Sequence, residues 1–204
     1  MSDQSNMTRS WGSEIASILV QTAGLLEDLP AEKWETASLC EGWSVRDVAG
    51  HILWRIGAST PRMLREGGGA YFGKHLNPMK AMDDLSVAAG RAEPVEIVRQ
   101  IRHIAATKLA GEGRTGVSEL TEALVHSYDI AWPLDVRLAI EPRVSHAVAS
   151  ARVRMPLPLS MRAAVVARTL RAADADWQIG TGPVIEGSAE AIVLFLFGRA
   201  PARS

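Results

Sequence analysis

Glu122-Ala123-Leu124-Val125-His126-Ser127-Tyr128-Asp129 is the stretch on which the reading of this 204-residue chain turns. In a helix, residues four apart lie one above the other on one face, so Glu122 and His126 meet. A carboxylate and an imidazole so placed can bind one ion, as two His do on a zincin helix. Asp129 follows His126 by three and shares the stripe. A further donor must come from elsewhere, and His51, inside a second strongly patterned helix, is the candidate. The competing reading is a solvated face, because these three polar residues lie roughly opposite Leu120 and Leu124 on a helical wheel.

Outward from this stretch, the apolar periodicity predicts three more long helices. Ser10 is placed to cap a helix from Trp11 to about Leu29, stopped by Pro30. Ser44 opens a capping box with Asp47 three residues on, and the helix it starts is expected over 44–64. His51 sits on the flank of its apolar stripe. Glu93-Pro94 begins another, with proline in the first turn, ended by Gly111-Glu112-Gly113. Thr115 or Ser118 opens the helix bearing the 122–129 stretch, and Pro133 closes it. Residues 65–92 read poorly: Gly67-Gly68-Gly69 breaks a helix, Asn77-Pro78 marks a turn, and Met79 to Ala89 fits a short helix.

After residue 140 the composition changes. Val144 to Val153 fits a helix, Met155-Pro156-Leu157-Pro158 a break, and Ala163 to Ala173 either helix or strand. The segments 176–180 and 183–187 read as two short strands about a glycine turn. Ser188 caps a last helix ending at Phe197. The fold class expected is therefore mostly α: a four-helix bundle over 1–140 and a small α+β subdomain over 141–204. Residues 1–9 read as a frayed tail.

Composition removes several function classes. Lys+Arg is 22 and Asp+Glu is 23, which leaves no global field to attract nucleic acid or an anionic membrane. One cysteine, Cys40, rules out an internal disulfide framework and fits a reducing cytoplasm. No apolar leader and no run long enough to span a bilayer is visible.

The segment Leu39-Cys40-Glu41-Gly42-Trp43-Ser44-Val45-Arg46-Asp47-Val48-Ala49-Gly50-His51-Ile52 resembles the first signature of mycothiol-dependent maleylpyruvate isomerase-like proteins, of the DinB-like superfamily of metal-binding four-helix bundles. Glu122-x-x-x-His126-x-x-Asp129 is similar to that family's second signature. The tail, from Asp176-Trp177 through Gly187 to Leu194 and Gly198-Arg199, is similar to the ending of many members.

The resemblance implies that His51, Glu122 and His126 bind one divalent metal, commonly zinc, and that the cosubstrate is a low-molecular-weight thiol, mycothiol in actinobacteria. It implies either cis-trans isomerisation of maleylpyruvate or transfer of the thiol to a small electrophile. A thiolate adding to the conjugated double bond leaves a single bond that rotates, and its expulsion returns the trans isomer. Arg199 is the match for an arginine considered for substrate carboxylate binding. Asp129 is expected to orient a ligand histidine, line the pocket or lie on plain surface rather than ligate. Cys40 reads as a small buried residue in preference to a nucleophile or metal ligand, Trp43 as packing, and His75, His103 and His146 as surface or packing. The partners expected are a small-molecule substrate and the thiol, with no nucleic acid or membrane, in a monomer or homodimer. The alternative function is a non-catalytic DinB-like metal- or small-molecule-binding protein of stress response or secondary metabolism.

Overall fold

The computed structural model describes residues 10–59, 61–63, 65, 78–155, 165 and 167–199. The readings made for residues 1–9, for Gly67-Gly68-Gly69, for His75, for Asn77 and for Pro156 to Pro158 lie outside these. The chain divides into two compact units, one holding Ser10–Leu138 and the other the described residues from Ala139 onward.

In the first unit the helices are α1 (Gly12–Glu27), α2 (Val45–Gly57), α3 (Pro78–Gly90), α4 (Pro94–Leu109) and α5 (Val117–Ala131). α1 packs on α4 and α5, and α2 packs on α4 and α5, which makes these four the bundle, while α3 lies along α2. The core is the sum of their apolar stripes: Ile15, Leu19 and Leu26 from α1, Val48 and Ile52 from α2, Ile97 and Ile101 from α4, Leu120 and Leu124 from α5. No helix among the described residues is long and apolar enough to cross a membrane.

Helix ends differ from the sequence expectation where a cap is used otherwise. Ser10 does not cap α1: its hydroxyl bonds Thr115 Oγ1 at 3.1 Å, and the N-cap position is Trp11. The same pairing removes Thr115 as a cap for α5, whose N-cap is Gly116, with no side-chain bond there. α2 ends at Gly57 rather than 64, because Ala58 turns extended. Pro61 has no N–H to give Gly57 and its ring would press on that carbonyl, which disfavours one continuous helix there by about 3 kcal/mol. Residues 61–63 are helical again.

α3 is held against α2 by glycine. A Cβ on Gly50 would lie 2.3 Å from the Ser86 carbonyl oxygen and 2.4 Å from the Gly90 nitrogen. Arg46, in the first turn of α2, donates from Nη1 to the carbonyls of Gly90 and Ala92, both at 3.1 Å. The Gly90 carbonyl is one of α3's orphan C-terminal acceptors, satisfied by a cation as the helix dipole favours.

The second unit holds α6 (Pro142–Arg154), β1 (Thr169–Ala172), β2 (Trp177–Gly180), β3 (Val184–Gly187) and α7 (Ala189–Leu196). The two short strands read about a glycine turn are both present, and they do not pair with each other. The sheet order is β2-β1-β3, with β1 antiparallel to β2 and parallel to β3. The connection crosses the start of β1, where a Cβ on Gly182 (φ +125°) would lie 2.1 Å from the Ala167 carbonyl oxygen. The 163–173 segment, open between helix and strand in the sequence, is strand over Thr169–Ala172. Ser188 caps α7 through the Ala191 N–H at 3.1 Å. His146 stacks on Trp177, ring centroids 5.7 Å apart, so it is a packing residue of this unit.

Two alanine substitutions separate propensity from close approach. Gly24, in α1, has nothing within 4 Å of an added Cβ. Gly24→Ala should stabilise by about 0.4–1 kcal/mol. Gly50→Ala should destabilise by about 1–3 kcal/mol despite its better helix propensity. Urea denaturation midpoints moving the same way for both would overturn the account of α2 against α3.

Candidate metal centre

The start of α2 is fixed by its capping box. Ser44 Oγ accepts from the Asp47 N–H at 3.2 Å, and Asp47 Oδ2 accepts from the Ser44 N–H at 2.9 Å. With the first turn fixed, His51 is carried two turns on, toward α5, where it is 2 % exposed. Its Nε2 lies 3.5 Å from Glu122 Oε2. On α5, His126 Nε2 lies 3.3 Å from the same oxygen, one helical turn away. The two imidazoles meet edge to face, centroids 4.5 Å apart. Donor atoms of His51, Glu122 and His126 thus lie within 4.8 Å of one another and could hold a cation. Glu122 keeps 27 % of its side chain exposed and His126 13 %, so the trio is sunk in the bundle yet open on one side.

Each donor is held from behind. His126 Nδ1 lies 3.0 Å from Asp129 Oδ2. Asp129 is wholly buried, so the plain-surface reading of this residue is overturned. Cys40 is buried as expected, and its thiol also donates to Asp129 Oδ2 at 3.0 Å, with Sγ 3.8 Å from His126 Nδ1. The loop bearing Cys40 is pinned by Ser38 Oγ to the Trp43 carbonyl at 2.8 Å and by the Leu39 N–H to the Asp129 carbonyl at 3.2 Å. That fold of the loop brings the Trp43 ring to 5.1 Å from His51, so Trp43 packs on the site.

Three contributors to the site are not legible in the sequence. Ser86 on α3 sits 2.9 Å from His51 Nδ1. Arg55, one turn beyond His51, reaches the outer oxygen of Glu122 at 3.5 Å and Glu119 at 3.4 Å. Glu119 is itself buried and held bidentately by Arg114 at 2.9 and 3.1 Å. Only the i, i+4 relation of His51 to Arg55 could have pointed to one of them; Ser86 lies in a segment without clear pattern. Arg199 belongs to the second unit, where it donates to the Phe197 carbonyl at 3.3 Å. His103 is exposed on α4.

The charges respond to this packing. Burial pushes His51 below the ordinary imidazole value, and the bond to Glu122 only partly offsets it. Burial also opposes charge on His126, but hydrogen bonding with Asp129, Cys40 and Glu122, the two carboxylates accepting from the ring, outweighs it and holds that imidazole well above its usual value. For Glu122 burial favours the neutral acid, yet the two imidazoles and Arg55 keep the carboxyl ionised well below the usual range.

Residues 15–112 match the family model described as the mycothiol maleylpyruvate isomerase N-terminal domain. That match agrees with the family resemblance read from the sequence. The fold agrees with the match. A crystal structure of the mycothiol-dependent maleylpyruvate isomerase superposes with a TM-score of 0.52 at 15 % identity, over 93 % of this chain and 88 % of that one. A mutant of that enzyme, with a histidine replaced by alanine, superposes with a TM-score of 0.53 at 14 % identity and the same coverage. At such identities the likeness is one of fold. No curated protein matches the chain significantly.

In metal-free protein the two imidazoles should titrate in opposite directions from the ordinary value of about 6.5. His126, raised in the fold, contributes stability that is full below that value and is lost as pH rises through its folded pKa. His51, lowered in the fold, costs stability as pH falls below that value toward its folded pKa. An NMR titration of both rings in EDTA-treated protein checks this; a shared, unshifted midpoint would contradict the geometry.

Proposed function

We propose that His51, Glu122 and His126 hold one divalent ion, zinc, and that the protein uses it with mycothiol as a maleylpyruvate isomerase-like isomerase or a thiol S-transferase. The observation that carries the reading is the donor spacing. Zinc bonds of about 2.0–2.1 Å at tetrahedral angles put donor atoms about 3.3–3.4 Å apart. The Glu122 oxygen stands 3.3 and 3.5 Å from the two Nε2 atoms. Two imidazoles and one carboxylate also form the mixed N/O donor set that suits zinc and leaves a position open.

An ion held there would stabilise an incoming thiol as its thiolate, the nucleophilic form. The chain's own residues supply the rest. Asp129 keeps a proton on His126 Nδ1 and so turns the Nε2 lone pair inward. Arg55 occupies the outer oxygen of Glu122, which leaves Oε2 for the site. The Trp43 face beside His51 shields one flank from water. Arg199 stays our candidate for a substrate carboxylate and Asp129 for the positioning of His126. We assign residues 1–140 to metal binding and 141–204 to a small α+β subdomain. A cytoplasmic setting supplies the reduced thiol and keeps Cys40 unoxidised.

Metal analysis of purified protein tests the site. His51→Ala and His126→Ala should each drop zinc from stoichiometric to background, and unchanged zinc in both would reject it. Free zinc at about a hundred times its Kd should raise unfolding stability by about 2.7 kcal/mol in the wild type and not in the variants. Maleylpyruvate turnover that requires mycothiol, and is lost with the metal, supports the isomerase; conjugate formation with an electrophile supports the transferase. Zinc binding without either leaves the metal-binding protein as the function.

A further inference from the structure

We propose that Ser86 is a positioning residue for the centre: its hydroxyl, tied to the Met82 carbonyl, holds the proton of His51 on Nδ1 and so presents the Nε2 lone pair to Glu122 and His126. The proposal rests on the metal reading above for its consequence, and on geometry for its substance.

A serine hydroxyl has one hydrogen and two lone pairs. Ser86 Oγ lies 2.7 Å from the Met82 carbonyl, one turn back on α3, an acceptor that can only receive a proton. The hydrogen is therefore used there, and the lone pairs remain for His51 Nδ1 at 2.9 Å. A neutral imidazole carries its proton on one nitrogen only. With Nδ1 donating, Nε2 is the acceptor, and it is Nε2 that stands 3.5 Å from Glu122. Were the hydroxyl absent, Nδ1 would lose this acceptor, and Glu122 would draw the proton to Nε2, closing that nitrogen to a metal.

The location of Ser86 follows from the α2–α3 contact. Gly50 precedes His51, and the space its missing Cβ leaves is filled by the Ser86 carbonyl oxygen. The backbone of Ser86 therefore sits against the backbone beside His51, and the hydroxyl has little freedom to stand elsewhere. Ser86 is fully buried, so water does not replace it. Asp129 does the same for His126, with a carboxylate in place of a hydroxyl. The two imidazoles are thus oriented from opposite sides, one by α3 and one from within α5.

The experiment compares wild type, Ser86→Ala, Ser86→Cys and, as a control, Thr22→Val, which removes a buried hydroxyl that bonds Ile18 and Ser127 on the α1 side. Two readouts are taken. Zinc affinity, by competition with a chromophoric chelator, should fall about 10–100-fold in Ser86→Ala, less in Ser86→Cys, and not in Thr22→Val. The ¹⁵N shifts of His51 in metal-free protein should show a protonated Nδ1 in the wild type and a protonated Nε2 in Ser86→Ala. A His51 that carries its proton on Nε2 in the wild type, or a tautomer unmoved by Ser86→Ala, overturns the proposal. If the wild type binds no zinc, the metal reading fails alone, and the nitrogen shifts still decide the role of Ser86.

Discussion

One carboxylate oxygen facing two imidazole nitrogens is the interaction on which the site depends. Glu122 Oε2 has His126 Nε2 at 3.3 Å and His51 Nε2 at 3.5 Å. Three lone-pair donors so close repel one another unless positive charge lies among them. A proton on His126 would supply it in the metal-free chain, where Asp129, Cys40 and Glu122 together outweigh burial and hold that imidazole above its usual value. A divalent ion would supply more charge at the same point, with geometry that the donors already approximate. A buried ion pair left without its partner is strongly destabilising, by about 3–5 kcal/mol. The arrangement is thus costly to keep for packing alone, since apolar residues of like volume would serve a bundle core as well.

The surroundings bear this constraint outward. Arg55 neutralises the far side of Glu122 and is itself anchored on Glu119, which Arg114 grips from the start of α5. Asp129 lies behind His126 and receives the Cys40 thiol from the loop ahead of α2. The loop, both helices and α3 are therefore parts of one polar cluster inside an otherwise apolar bundle. Such clusters are worth most when every member is satisfied, because the low local dielectric strengthens each bond and raises the cost of a missing one.

The first helix of this cluster was readable before any coordinates because its signals are local. Ser44 and Asp47 declare a helix start within four residues, and the structure holds both reciprocal bonds. The pairing of Glu122 with His126 follows from helical pitch alone. Other features were not readable for an equally physical reason. Ser10 and Thr115 look like caps, but each found the other across the fold at 3.1 Å and left its own helix uncapped. The 176–180 and 183–187 segments read as two short strands about a glycine turn, and both are strands, yet β1 lies between them. Nothing local states that the preceding strand, Thr169–Ala172, will take the central place.

By itself the sequence determined the helices, their caps at Ser44 and Ser188, the shared face of Glu122 and His126, and the likeness to a mycothiol-dependent family. These are matters of spacing along one chain segment, where covalent geometry dictates which side chains meet. Only the tertiary structure decided that the 122–126 face points inward, that Asp129 is buried behind His126, and that Ser86 stands at His51. Those outcomes depend on how closely separate helices approach, and that distance is set by packing: by a missing Cβ at Gly50 and by apolar stripes that must be buried together.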